Sequence, residues 1–112
     1  MSNKKKMVRQ EFRDSVFLRD RYRCVVCGKQ ATKVNADEIL DAHHVTNRNE
    51  LPNGGYVKEN GITVCKGVDG SSCHEKAELV LKGDVIPGYA PDDLYSLIGS
   101  SRDKAFKASE EL

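Results

Sequence analysis

Four cysteines and three histidines are the residues of this chain whose types and spacing can do chemistry. They run in the order Cys24-x-x-Cys27, His43-His44, Cys65 and Cys73-His74, with Asn60 between the histidine pair and the third cysteine. Zinc prefers four soft or borderline ligands in a tetrahedron, and Cys24, Cys27, Cys65 and Cys73 supply that number. The first pair has the spacing of a zinc knuckle. The second pair is separated by seven residues, KGVDGSS, a Gly- and Ser-rich insert that can bulge outward without moving the sulfurs. One structural zinc shared by all four is the expectation. The competing reading is two unrelated buried cysteines beside a Cys24–Cys27 redox pair, but no thioredoxin-like pattern surrounds that pair. A thiolate cage leaves all three histidines free. Neutral imidazoles near a second, open metal position suit phosphodiester hydrolysis.

Those residues need elements to carry them. Val8, Phe12, Val16 and Phe17 recur at helical spacing, which predicts a helix over residues 7–20 with an arginine-bearing face that can also meet phosphate. Residues 1–6 are expected to be a disordered basic lead-in. Residues 21–28 form the knuckle, with Gly28 supplying backbone freedom, and residues 29–37 a polar connection. Residues 39–45 and 61–65 read as strands. They are separated by a loop in which Pro52-Asn53-Gly54-Gly55 signals a reversal, and Asn60-Gly61 offers another turn. Residues 66–71 loop outward. Ser72-x-x-Glu75 fits a capping box opening a helix that runs to about residue 82, where Gly83 is the stop. A short helix over 92–98 completes an α+β domain over residues 7–100, and a polar tail at 101–112, helical or frayed, follows it. Adjacent strand residues point to opposite sides, so His43 and His44 are expected to have different tasks.

Composition bounds the function. The chain has 112 residues, enough for one domain, with 38% hydrophobic residues, no Trp and only seven Phe and Tyr. So thin an apolar supply favours a staple such as a metal. Net charge is +1, but residues 1–30 carry nine Lys or Arg against three acids, whereas residues 84–112 carry six acids against three bases. A basic front end is the footprint of a polyanion partner, and equally of a solvated helix face. There is no apolar run of membrane-spanning length and no secretory signal, so no membrane partner and a cytoplasmic location are expected. Four cysteines in a reducing compartment read as metal ligands.

The run Leu40-Asp41-Ala42-His43-His44-Val45, then Glu59-Asn60-Gly61-Ile62-Thr63-Val64-Cys65, then Cys73-His74-Glu75-Lys76 resembles the HNH endonucleases. The likeness covers about residues 20–82. Arg19-Asp20-Arg21-Tyr22-Arg23-Cys24 resembles the lead-in of the cysteine-containing branch of that family. The resemblance implies a small ββα-metal core with a structural four-cysteine zinc site and flanking helices. It implies His43 and His74 as ligands of a catalytic divalent ion and His44 as the general base. Asn60 would be a brace whose amide holds the loop backbone and fixes that base. Where the nuclease colicins of the family place a further histidine, this chain has Glu78. A carboxylate is a hard ligand, so Mg²⁺ or Mn²⁺ gains over Zn²⁺. Small members are frequently phage- or mobile-element-encoded, which leaves a homodimer or a larger complex of that kind open.

Other readings stand beside these. His43 or His74 can replace a cysteine in the cage, and Asn60 can be only a turn residue. Glu78 can be a solvated helix residue, and Asp41 either an exposed strand carboxylate or a group orienting a ligand. Arg48 lies where the family often places a phosphate-contacting base. The leading expectation is a metal-dependent endonuclease hydrolysing DNA, gripped through charge and shape. The alternatives are a non-catalytic zinc-bound nucleic-acid-binding module and a protein-binding zinc domain.

Overall fold

Two short strands, each too small to stand alone, are held between helices. The computed structural model describes residues 2–67 and 72–112. In chain order the elements are α1 (Ser2–Arg19), α2 (Ala36–Ile39), β1 (Leu40–His44), three 3₁₀ turns (Arg48–Glu50, Pro52–Gly55, Lys58–Asn60), β2 (Gly61–Cys65), α3 (Cys73–Leu81), α4 (Pro91–Leu97) and α5 (Arg102–Glu110). The architecture is α+β, as expected. β1 and β2 pair antiparallel, with Leu40 opposite Cys65 and His44 opposite Gly61. An isolated two-stranded ribbon is marginal in water, so the packing of α1 and α3 against it is what makes it persist. All five residues of β2 are buried.

The apolar stripe of α1 does the packing on one side. Phe12, Val16 and Phe17 are buried, and the helix lies so close to β2 that a Cβ on Gly61 would collide with Val16 and Phe12. Gly61 is extended, with φ −119°, so its role is close approach and not the turn that Asn60-Gly61 suggested. The Arg19-Asp20 step then fastens the helix to the strand. Asp20 Oδ2 accepts from the Thr63 N–H at 2.9 Å, and Arg19 donates to the carbonyls of Lys58 and Gly61 at 2.6 Å each.

The local signals around α3 hold. Ser72 Oγ accepts from the Glu75 N–H at 3.2 Å and donates to Glu75 Oε1 at 2.7 Å. At the other end Gly83 takes φ +113°, and the Gly83 and Asp84 N–H groups return to the carbonyls of Val80 and Leu79, a Schellman closure. The outward loop expected at 66–71 lies mostly outside the described residues.

Three boundaries differ from expectation. α1 begins at Ser2, so the lead-in expected to be disordered is helical in its backbone; Lys and Met are good helix formers and extend the helix past its first apolar residue. The polar connection contains the single turn α2, which buries Ala36. The tail takes the helical of its two expected forms, as α5, but it packs into the domain and does not trail from it. Ser101 caps it by accepting from the Lys104 N–H, and Ala105 and Ser109 are fully buried. The domain therefore does not end at residue 100. The radius of gyration, 13.3 Å, matches the roughly 13 Å of a globular chain this long. No helix among the described residues is long and apolar enough to cross a membrane.

The α1–β2 contact yields a first prediction. Gly61→Ala forces Val16 and Phe12 apart, and overpacking of that kind costs about 1–3 kcal/mol. Urea denaturation should show the loss; an unchanged midpoint would mean that α1 does not press on β2.

Candidate functional site

The knuckle turns on Gly28, whose φ is +84°. Its N–H bonds the Cys24 carbonyl at 2.9 Å, and the Cys24 N–H bonds the Lys29 carbonyl at 2.9 Å. This turn presents Cys24 and Cys27 to Cys65 at the end of β2 and Cys73 at the start of α3. One sulfur from each lies within 4.8 Å of all the others. The Cys27 and Cys65 sulfurs are 3.7 Å apart, close to the edge of about 3.8 Å that a tetrahedron with Zn–S bonds of about 2.3 Å requires. The backbone N–H groups of Cys27 and Cys73 point at the sulfurs of Cys24 and Cys65 at 3.4 Å each, which suits thiolate. The four cysteines can hold one zinc ion. The alternative of two unrelated cysteines beside a redox pair does not describe this arrangement. Tyr89 donates its hydroxyl to Cys73 Sγ at 3.4 Å, a contact the sequence did not announce. Burial pushes the Cys73 thiol well above its ordinary range, and a bound cation is what would reverse that.

Consecutive residues on α3 diverge by about 100°, so Cys73 faces the cage while His74 faces elsewhere. His74 joins His43 and Glu78 in a second group whose ligand atoms also lie within 4.8 Å of one another. Neither His43 nor His74 is part of the cage. His43 Nδ1 is 3.3 Å from Glu78 Oε1, and His74 Nε2 is 3.4 Å from the same oxygen and 3.0 Å from Asp41 Oδ2. Glu78 thus faces the histidines, one turn after His74, and Asp41 reaches the same group from two residues before His43 on β1. Burial pushes the His43 pKa down, against the pull of Glu78. The hydrogen bond to Asp41 raises that of His74. His43 is only 2% exposed, and neither of its ring nitrogens has a hydrogen-bond partner among the described residues. A buried polar atom left unpaired costs about 1–3 kcal/mol. A divalent cation held by His43, His74 and Glu78 would partner one of the two ring nitrogens, so the donor set fits one.

His44 takes the other face of β1. Its ring stacks on Phe12 at 4.5 Å between centroids and meets Tyr56 edge-on at 4.7 Å. Burial, helped by the charges of Arg48 and His43, pushes its pKa down to about 4. The imidazole is therefore neutral at physiological pH.

Asn60 is fully buried. Its Oδ1 accepts from the Thr46 N–H at 2.9 Å, and its Nδ2 donates to the carbonyls of Thr46 and Gly55 at 3.1 and 3.2 Å. Asn60 is thus a brace across the loop, not merely a turn residue. The Tyr95 hydroxyl donates its one proton to Asn60 Oδ1 at 2.8 Å. Thr46 Oγ1, 2.7 Å from the same hydroxyl, must then be the donor to it. Tyr95 comes from α4, and only the apolar spacing of that helix hinted that it turns inward. Arg48 donates to the Tyr56 hydroxyl at 2.7 Å and is otherwise exposed.

No protein-family model, characterised protein or solved structure matches this chain.

Two predictions come from these contacts. Structural zinc contributes on the order of 10 kcal/mol of apparent binding free energy in small domains. Strong chelation, or Cys73→Ser, should abolish the cooperative melt and reduce the helical circular dichroism, with one zinc per chain by elemental analysis. A melt indifferent to chelation would remove the shared cage. In the brace, Tyr95→Phe should cost about 1–3 kcal/mol. Asn60→Ala, which deletes four hydrogen bonds, should cost more. Guanidinium unfolding of the two variants gives the order, and the reverse order would mean that Asn60 is not the centre of the network.

Proposed function

We propose that this protein is a metal-dependent endonuclease of the HNH type that hydrolyses DNA, with β1, the loop, β2 and α3 forming a ββα-metal core. The observation that carries the reading is the division of labour between adjacent histidines. Buried His43 shares a cluster with the half-buried His74 and Glu78, while His44 stands neutral on the opposite strand face between Phe12 and Tyr56. One metal-binding group beside one free base is what phosphodiester hydrolysis asks of a site this small.

In this reading His43, His74 and Glu78 would hold a divalent ion, and its charge would stabilise the phosphorus centre and the departing 3′ oxygen. The carboxylate, with Asp41 beside it, favours Mg²⁺ or Mn²⁺. His44 takes a proton from the attacking water on an imidazole nitrogen. Its depressed pKa keeps it unprotonated, and a phosphate brought near Arg48 offsets the guanidinium charge that contributes to the depression, which makes the base stronger when substrate is present. Phe12 and Tyr56 hold the ring's orientation. Asn60 holds the loop at Thr46, two residues after the base. The basic front end of the chain supplies the sequence-independent grip on the backbone.

The test is plasmid nicking with Mg²⁺, Mn²⁺ or Ni²⁺ added in turn, run beside His44→Ala. The wild type should relax supercoiled DNA. The variant should lose about 10²–10⁴ in rate while it still melts cooperatively and keeps nearly all of its DNA affinity. Equal nicking by the two proteins would overturn the enzyme assignment. No nicking by the wild type with any ion would leave a zinc-bound nucleic-acid-binding module.

A further inference from the structure

Tyr56 is gripped by two arginines that come from distant parts of the chain. Arg9, on α1, places its guanidinium carbon 5.7 Å from the centroid of the Tyr56 ring. Arg48, in the first 3₁₀ turn, donates Nη1 to the Tyr56 hydroxyl at 2.7 Å. The same ring stands edge-on to His44 at 4.7 Å. The fit of Tyr56 is close: a Cβ on Gly54 would come within 2.9 Å of its ring. One phenol therefore ties two cationic heads to the wall of the proposed base.

Those heads are uncommitted. Arg13, Arg19 and Arg102 each have a carboxylate partner, Asp37, Asp20 and Glu50. Among the described residues Arg9, Arg48, Arg21 and Arg23 have none, and of these four Arg9 and Arg48 are the two held on Tyr56. A guanidinium stacked on an aromatic face keeps its five N–H donors for another acceptor, and Arg48 uses only one of its own on Tyr56. An open cleft of about 500 Å³ is lined by Asn47, Arg48 and Asn49. Two guanidinium groups with free planar donors, both held on one phenol and one of them lining that cleft, are complementary to phosphates of one nucleic-acid strand.

We propose that Arg9 and Arg48, both anchored on Tyr56, form a clamp for backbone phosphates flanking the one presented to His44. The clamp rests on the nucleic-acid reading above and deepens it by assigning the strand's grip to α1 and the loop together. Arg9 is the new element, because it makes α1 part of the binding surface as well as of the core. Sequence plays no part in the grip, since the contacts are to phosphate.

The experiment is fluorescence anisotropy on a labelled DNA duplex with the zinc-loaded protein, without added Mg²⁺ or Mn²⁺, across 50 to 200 mM salt. Each phosphate contact contributes about 0.9 to the slope of log affinity against log salt. Arg9→Ala and Arg48→Ala should therefore each lower the slope by about 0.9, which shrinks the salt-induced loss over that range roughly three- to fourfold. Tyr56→Leu keeps both charges but should lower the slope as well, because the heads lose their anchor. Lys107→Ala, on α5 and outside the basic front end, with its ammonium 3.3 Å from Asp103, should leave it unchanged. Circular dichroism and zinc content verify that each variant folds. Wild-type slopes in both Arg9→Ala and Arg48→Ala, an equal fall in Lys107→Ala, or no DNA binding at all would overturn the clamp. The nuclease reading fails separately: if His44→Ala still cleaves while the slopes fall as stated, the clamp stands without the enzyme.

Discussion

The junction between the end of β2 and the start of α3 is the constraint on which the rest depends. Cys65 closes the strand and Cys73 opens the helix, and their sulfurs belong to the same group of four. A zinc ion held by that group would tie the end of β2 to the first turn of α3 and so fix the helix against the sheet. His74 follows Cys73 directly, so whatever fixes the first turn of α3 also fixes the second cluster. The capping hydrogen bonds of Ser72 act at the same place. They start the helix, but they do not orient it against the sheet; the thiolate cage does that.

The sheet then divides the work by parity alone. Side chains alternate along β1, so Asp41 and His43 reach α3 while His44 reaches α1. No special backbone conformation is needed for two neighbouring imidazoles to occupy unlike surroundings. One sits in a polar cluster with two carboxylates nearby. The other sits against Phe12, in a setting that disfavours its charged form. The same logic explains Gly61. It is paired with His44 across the ladder, and the absence of a side chain there lets α1 come close enough for Phe12 to stack on the histidine.

Much of this was legible in the sequence where local rules act. The capping box, the glycine stop of α3, both strands and the alternation at His43-His44 are short-range features whose residues carry their own explanation. The cysteines were readable because four of them, with a Cys-x-x-Cys knuckle among them, match the ligand number of one zinc ion. What was not legible is tertiary. The polar composition of α5 looks like a tail until Ala105 and Ser109 are buried, and two small side chains one turn apart give almost no hydrophobic signal. Tyr95 reads as an ordinary aromatic, because nothing local says that its hydroxyl will meet Asn60 from 35 residues away. Asn60-Gly61 misled in the opposite direction. A strong turn dipeptide is here split between a brace and a close contact, and both demands come from other elements.

The brace also explains why a domain with so little apolar material keeps helices α4 and α5. A loop that must hold His44 and Arg48 cannot be covered by hydrophobic packing without burying its backbone polar groups, each of which needs a partner. Asn60 satisfies three of them from within, and the C-terminal segment supplies most of the outer support. Tyr95 completes the Asn60 oxygen, Asn53 reaches the Ser109 carbonyl at 2.9 Å, and Ser100 donates to the Glu59 carbonyl at 2.8 Å. These contacts are directional, and they specify one loop geometry more sharply than an apolar cluster of the same size would. Shape at the candidate site is therefore set from two directions, by a cysteine cluster that can hold zinc on the α3 side and by a polar network on the loop side. The two histidines lie where these supports meet.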